Sequence, residues 1–108
     1  MARIYPLFSS SKGNSTYIGD EHSGILIDCG VSFKRLSGAL ALNNIPLKAV
    51  QAVFITHEHS DHISGLKMLT KNTGIPVYGQ KRTLQRLCDS DKIAPSSPVI
   101  DMSGTAIA

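Results

Sequence analysis

The chain has 108 residues, of which 42% are hydrophobic and 18% are charged. This is the composition of a globular domain and excludes an intrinsically disordered chain. This length allows one domain with a modest core. The net charge of +3 permits a polyanionic substrate without requiring one, and no apolar stretch is long enough to span a bilayer.

The two cysteines, Cys29 and Cys88, are expected to be free thiols in a reducing compartment. The first residues lack the long apolar segment of a secretory signal, so we expect none. The expected location is therefore the cytoplasm.

Three short apolar runs open the chain and predict an antiparallel meander of strands. They cover residues 3–8, 16–18 and 24–29, and the last reads as a buried strand. Small polar residues at 9–15 predict a loop between the first two strands.

Helices and strands alternate after this meander. Ser32 is expected to cap a helix over 33–43, which is followed by a strand at 50–56 and a helix at 63–72 closed by Gly74. A strand at 75–79 and a helix at 81–88 complete the pattern, which is lost after Asp89. We predict an α/β domain over residues 1–88, with a mixed sheet and its helices on one face, and an irregular tail over 89–108.

The most distinctive stretch follows the strand at 50–56. Three of the four histidines, His57, His59 and His62, lie within six residues that also include Asp61. On an extended chain, residues two apart point the same way, so His57 and His59 can converge on one metal ion. Asp61 and His62 follow where the chain turns into a helix. Three nitrogen ligands and one oxygen ligand suit Zn²⁺, with Mn²⁺ or Fe as alternatives.

Asp61 also has a predicted catalytic role. A carboxylate beside a metal can hold and partly deprotonate a metal-bound water, whose pKa the metal lowers to roughly 7. The alternative is a solvated polar loop that is merely rich in histidine. Packing does not explain three imidazoles at a strand end, which favours the metal site.

These motifs resemble the signature of the metallo-β-lactamase superfamily. The resemblance rests on His57-x-His59-x-Asp61-His62 after an apolar strand and on an earlier strand that ends in Asp28-Cys29-Gly30, and it covers roughly residues 3–87. It implies the αββα sandwich fold, of which this chain is expected to be the N-terminal half. The residues at 11–18, together with those at 56–62, make the sequence resemble most the WalJ (YycJ)-type bacterial hydrolases, for which DNA exonuclease activity is implied.

The resemblance also implies how the ligands divide between metals. His57 and His59 would bind one ion, and Asp61 and His62 the second, with two Zn²⁺ in a complete site. Asp28 would support the metal-binding loop through hydrogen bonds. The alternative for Asp28 is a turn residue that ends its strand.

The sequence departs from the family downstream of this motif. Family members complete the site with a further histidine, a metal-bridging aspartate and a last histidine, whereas no histidine follows His62 here. Asp89, Asp91 and Asp101 do not follow a histidine in the expected arrangement. We therefore expect a truncated enzyme with weak or no activity unless another chain supplies the missing half.

Three functions stay open at this point. The first is a phosphodiesterase or DNA exonuclease that uses a metal-bound hydroxide on a nucleic-acid substrate. The second is another hydrolase of this fold, acting on a thioester, lactone or β-lactam. The third is a non-catalytic metal-binding or interaction module that self-associates through an exposed half-sheet. The loop at 13–14 is either a bare hairpin turn or a cleft wall that donates backbone N–H groups to a phosphate.

Overall fold

A computed structural model describes residues 3–10, 13–57 and 63–102. Their strands lie side by side in chain order in one mixed sheet. The first three strands are antiparallel, and the others continue the sheet in parallel. The strands are β1 (Arg3–Ser10), β2 (Gly13–Gly19), β3 (Gly24–Ile27), β4 (Val50–Phe54), β5 (Val77–Gly79) and β6 (Val99–Asp101). The predicted meander is thereby confirmed.

The helices follow the predicted alternation. They are α1 (Phe33–Leu42), α2 (Leu66–Thr73) and α3 (Lys81–Asp89), with a 3₁₀ turn at Leu47–Ala49 before β4. The Ser32 side chain accepts a hydrogen bond from the Arg35 N–H at 3.2 Å, which confirms it as the cap of α1. Gly74 ends α2 with φ of 67°, a backbone conformation that glycine adopts without steric cost. Within the described residues, no helix is long and apolar enough to cross a membrane.

The three helices within the described residues cover the same face of the sheet. Tyr17, Leu26, Val53 and Val77 form a row of paired positions across β2 to β5, and each is fully buried. One core cluster joins this row to the inward leucines of the helices, Leu36, Leu40, Leu66, Leu69, Leu84 and Leu87. The predicted fold class, α/β with helices on one face of a mixed sheet, is confirmed.

The opposite side of the sheet, which we call the outer face, is apolar and partly exposed. Phe54 and Tyr78 stack there with ring centroids 4.8 Å apart, and Ile4 is 70% exposed. Paired positions across the strands define the outer face as Ile4, Pro6, Thr16, Ile18, Ile25, Ile27, Ala52, Phe54, Tyr78 and Ile100. These residues carry no charge.

The tail is more ordered than the sequence predicts. An irregular segment was expected over 89–108, but β6 lies within it and pairs with β5. The approach to β6 is fixed by the buried Thr70, whose hydroxyl accepts a hydrogen bond from the Ala94 N–H at 2.9 Å and whose carbonyl accepts one from the Ser97 hydroxyl at 3.3 Å. A three-residue strand is too short to show a hydrophobic period, so the pattern misses it. The boundary at residue 88 stays a prediction.

The loop predicted over 9–15 is mostly strand. Ser9 pairs with Asn14 and Ser10 with Gly13, so β1 and β2 extend to residues 10 and 13. Of the two alternatives left open for Gly13 and Asn14, the bare hairpin turn does not fit, because backbone pairing places both residues in the ladder. Residues 11 and 12, which connect the two strands, lie outside the described residues.

Candidate metal-binding site

The candidate site lies where β3 and β4 end side by side. Ile27 pairs with Phe54 in this parallel register, and the Asp28 N–H donates to the Phe54 carbonyl at 2.7 Å. Parallel strands present their carboxyl ends at one edge of a sheet, where polar residues of separate strands meet. Asp28 is thereby brought next to Thr56 and His57, which follow β4.

Asp28 holds Thr56 with both carboxylate oxygens. Its Oδ1 accepts from the Thr56 N–H at 2.7 Å, and its Oδ2 accepts from the Thr56 hydroxyl at 2.6 Å. The Asp28 residue is buried and has φ of 64°, a left-handed conformation that aspartate tolerates better than most residues. Hydrogen bonds to an ionised carboxylate are stronger than neutral ones. Asp28 therefore does more than end its strand: it fixes the residue before the first histidine.

His57 extends this chain of contacts into solvent. Its Nδ1 lies 2.9 Å from the Thr56 hydroxyl oxygen, and the side chain is exposed. A histidine that ligates a metal commonly uses its other ring nitrogen in a hydrogen bond of this kind. His57 therefore fits a divalent metal ion such as Zn²⁺.

The other predicted ligands, His59, Asp61 and His62, lie outside the described residues. Over 3–10, 13–57 and 63–102, no three His, Cys, Asp or Glu side chains are grouped so that they could hold a metal ion. The four-residue ligand set therefore stays a prediction, and His57 is its one described member.

The residues after the motif are tied to the same place. The Gly65 N–H donates to the Cys29 carbonyl at 2.9 Å, and a Cβ at Gly65 would lie 1.9 Å from the Val31 carbonyl oxygen. Residues 28–31, which we call the 28–31 turn, thus contact the chain on both sides of the histidine motif. The spacing of the motif alone does not indicate this double attachment.

The 28–31 turn also contacts the first hairpin. The Gly30 N–H donates to the Asn14 carbonyl at 2.8 Å, and the Ser15 hydroxyl donates to the Asp28 carbonyl at 2.9 Å. A Cβ at Gly13 would lie 2.9 Å from the Gly30 carbonyl oxygen. The start of β2 is therefore fixed at the same edge of the sheet as Asp28.

Cys29 is a buried structural residue in this turn. Burial raises the pKa of its thiol to about 12, with a smaller contribution from the neighbouring Asp28 charge. A thiol with this pKa is protonated near neutral pH, so Cys29 is not a nucleophile there.

Thr56 is the residue of this site that sequence reasoning missed. It lies between the apolar strand and His57, where its hydroxyl contacts both Asp28 and the imidazole. The one sequence signal for this role is its position directly before the first histidine. That signal is weak, because hydroxyl residues are common where a strand ends.

Comparison with known proteins gives a consistent result. The sequence profile described as the metallo-beta-lactamase superfamily matches residues 11–101. The chain is 38% identical over 84 residues to exodeoxyribonuclease WalJ of Streptococcus pneumoniae (strain D39), which covers 78% of the chain and 31% of that protein. It is 36% identical over 77 residues to exodeoxyribonuclease YycJ of Bacillus anthracis, covering 71% of the chain and 29% of that protein.

The fold has solved counterparts. The Rm3 metallo-beta-lactamase aligns with 91% of this chain and 43% of its own chain, with a TM-score of 0.67 and 22% sequence identity. At this identity the similarity shows the fold. The chain spans about a third of the length of the curated relatives that it matches.

Proposed function

The chain belongs to the metallo-β-lactamase superfamily, and we propose that it forms the metal-binding part of a phosphodiesterase that degrades DNA as an exonuclease. The choice of DNA is supported by 36% and 38% identity to two exodeoxyribonucleases. Because this chain covers about a third of those proteins, the complete activity is proposed for the whole enzyme.

The observation that carries this proposal is the row of contacts from Asp28 through Thr56 to His57 at the end of β4. We assign His57 and His59 to one metal ion, and Asp61 and His62 to a second. Zn²⁺ suits this donor set best, with Mn²⁺ or Fe as alternatives. Asp28 supports the first of these ligands through the Thr56 hydroxyl.

When bound, such metal ions supply a water-derived nucleophile at neutral pH and neutralise charge on the phosphodiester. The chain's own groups orient this chemistry. Asp28 and Thr56 hold the His57 ring, and the Asp61 carboxylate accepts the proton of the attacking water. The Gly30–Asn14 hydrogen bond holds the start of β2 at the same edge as Asp28, which supports the proposal that this segment contacts a DNA phosphate.

The polyanionic substrate and the cytoplasmic location are supported by the net charge and by the cysteines. The net charge of +3 favours approach to a polyanion at low ionic strength. The two cysteines are free thiols, which supports a reducing compartment and hence the cytoplasm.

The test compares the chain with its His57→Ala variant after reconstitution with Zn²⁺ or Mn²⁺. Substrates are end-labelled DNA, a chromogenic β-lactam and a thioester, and metal content per chain is measured by elemental analysis. We expect metal-dependent loss of terminal nucleotides from DNA, at a low rate in this chain. In the His57→Ala variant this rate should fall about 100-fold or more, because removing a ligand should cost more than removing a ligand's hydrogen-bond partner.

His22→Ala is the matched control, because His22 lies in the exposed turn between β2 and β3. It should retain both metal content and DNA degradation. The proposal is contradicted if the reconstituted protein contains no metal, or if it cleaves the lactam or thioester and leaves DNA intact.

A further inference from the structure

We propose that the groove between β1 and α1, which we call the β1–α1 groove, binds a base of single-stranded DNA beside the candidate metal site. The groove has a volume of about 430 Å³, and its lining includes Phe8, Arg35, Gly38 and Leu42. Sites for small organic groups usually measure about 300–1,000 Å³. The inference rests on the proposed function for its substrate, and it states where the DNA strand is held.

Arg35 and Phe8 form a cation–aromatic pair in this groove. The Cζ atom of Arg35 lies 4.9 Å from the centroid of the Phe8 ring. Phe8 is half-buried and packs against the core, whereas Arg35 is exposed. The ring therefore keeps the guanidinium in the groove. Proteins hold single strands by stacking bases on aromatic rings and guanidinium planes, while positive charge attracts the phosphates.

The charge around the groove suits a polyanion. All eight acidic residues of the chain lie outside residues 1–19 and 29–57, which include the whole of β1 and α1. The basic residues in these two ranges are Arg3, Lys12, Lys34, Arg35 and Lys48. Among the described residues that line the groove, Arg35 is the one charged residue. An apolar groove with a positive charge matches a nucleotide, which joins a flat ring to a phosphate.

The groove adjoins the edge of the sheet that carries the candidate metal site. Phe8 pairs with Ser15 on β2, and the Ser15 hydroxyl donates to the Asp28 carbonyl at 2.9 Å. Three strand spacings of about 4.8 Å separate β1 from β4, which is about 14 Å. This distance corresponds to about four nucleotides at the helical spacing of about 3.4 Å. A strand whose end reaches His57 can therefore place a base in the groove a few nucleotides from that end.

The test is fluorescence anisotropy of labelled single strands of about eight nucleotides, at low salt, with the chain kept metal-free by EDTA. One strand contains thymidine throughout, and the other has the same backbone without bases. Both carry the same charge, so a difference in affinity measures contact with the bases. We expect the thymidine strand to bind about 10-fold more tightly than the abasic strand.

Gly38→Leu tests whether the β1–α1 groove is the place of this contact. A Cβ at Gly38 meets nothing within 4 Å, so a leucine there should fill the groove without disturbing α1. We expect Gly38→Leu to bind the two strands equally. Gly38→Ala, which leaves most of the groove open, should keep the native difference. Far-UV circular dichroism checks that both variants retain the fold.

Arg35→Gln tests the charge in the groove. We expect it to weaken binding of the thymidine strand about 10-fold, and to reduce the slope of log affinity against log salt by about 0.7, the value for one phosphate contact on a single strand. Arg82→Gln is the matched control, because Arg82 is exposed on α3, which contacts β5 and β6 at the other side of the sheet. It should change the affinity by less than about twofold, since exposed charges far from a ligand are screened.

The inference is overturned if the native chain binds both strands equally or binds neither, as it would if the groove held an apolar protein segment. It is also overturned if Gly38→Leu keeps the difference between the strands, or if Arg82→Gln weakens binding as much as Arg35→Gln does. These measurements need neither metal nor cleavage. A chain that distinguishes the two strands but contains no metal after reconstitution would contradict the proposed function alone.

Discussion

At the scale of single residues, Cys29 and Cys88 offer a direct check on the interior of the site. Cys29 is fully buried in the 28–31 turn, and burial raises its thiol pKa to about 12, whereas Cys88 is exposed on α3. Thiol reagents attack the thiolate. We therefore expect a chromogenic disulfide reagent at neutral pH to titrate one thiol per folded chain and two per chain in denaturant.

Cys88→Ser serves as the control for this titration and should leave no rapidly reacting thiol in the folded chain. Rapid reaction of that variant without denaturant would mean that the 28–31 turn opens readily, and would contradict the packing described for Cys29.

The local sequence pattern does not connect Asp28 with His57, and only the family resemblance predicts that Asp28 supports the metal-binding loop. Each follows an apolar strand, and that local pattern is visible in the chain. The link between them runs through Thr56, 28 positions after Asp28, and it depends on the parallel register of β3 and β4. Thr56 is missed for the same reason, because its hydroxyl acquires a role only when Asp28 is placed beside it.

At the scale of elements, the 28–31 turn explains why α2 begins where it does. Gly65 caps α2, and its N–H donates to the Cys29 carbonyl. A Cβ there would approach the Val31 carbonyl oxygen to 1.9 Å, so backbone has to move. We expect Gly65→Ala to lower the free energy of unfolding by about 3 kcal/mol, at the upper end for overpacking. Zinc affinity should fall as well, since Gly65 follows the last histidine of the motif by three residues in the sequence. Urea denaturation and zinc titration measure the two effects.

Gly38→Ala is the matched substitution for this experiment. Gly38 lies in α1, where a Cβ meets nothing within 4 Å, so alanine should raise the free energy of unfolding by about 0.5–1 kcal/mol. Similar effects of the two substitutions would contradict the assignment of Gly65 to a site without space for a side chain.

Elements with a local signal were predictable and those without one were not. Ser32 and Gly74 mark helix ends through their own side chains or backbone freedom, and both are confirmed. The ends of β1 and β2 and the whole of β6 depend on pairing with a neighbour. Serine, glycine and asparagine at the ends of β1 and β2 resemble turn residues, so composition indicated a loop there.

At the scale of the whole molecule, the two sides of the sheet differ in what covers them. The core side is covered by α1, α2 and α3, whereas the outer face is a set of uncharged, mostly aliphatic and aromatic side chains that no described element covers. Apolar faces of this kind favour association, because burying them removes apolar surface from water. The family resemblance predicted an exposed half-sheet, and the outer face is the surface to which that prediction applies.

We expect the 108-residue chain to self-associate weakly by packing two outer faces together. Six strands about 4.8 Å apart, with about four residues of roughly 3.3 Å each, give a face of about 400 Å². Two such faces bury about 800 Å², below the roughly 1,200 Å² of a stable interface. Sedimentation equilibrium should therefore show a monomer that associates as concentration rises.

The site of association is tested by adding a charge at matched apolar positions. Ile4 is 70% exposed and Ile100 is 37% exposed, so lysine at either should cost little stability while burying a charge in the proposed contact. Ile4→Lys and Ile100→Lys should each shift the chain to monomer. Leu42→Lys, at an 87% exposed leucine on α1, makes the same change on the helix side and should not. If Leu42→Lys shifts the protein to monomer as strongly as Ile4→Lys does, any exposed apolar residue contributes to association. The prediction that the outer face is the contact would then be wrong.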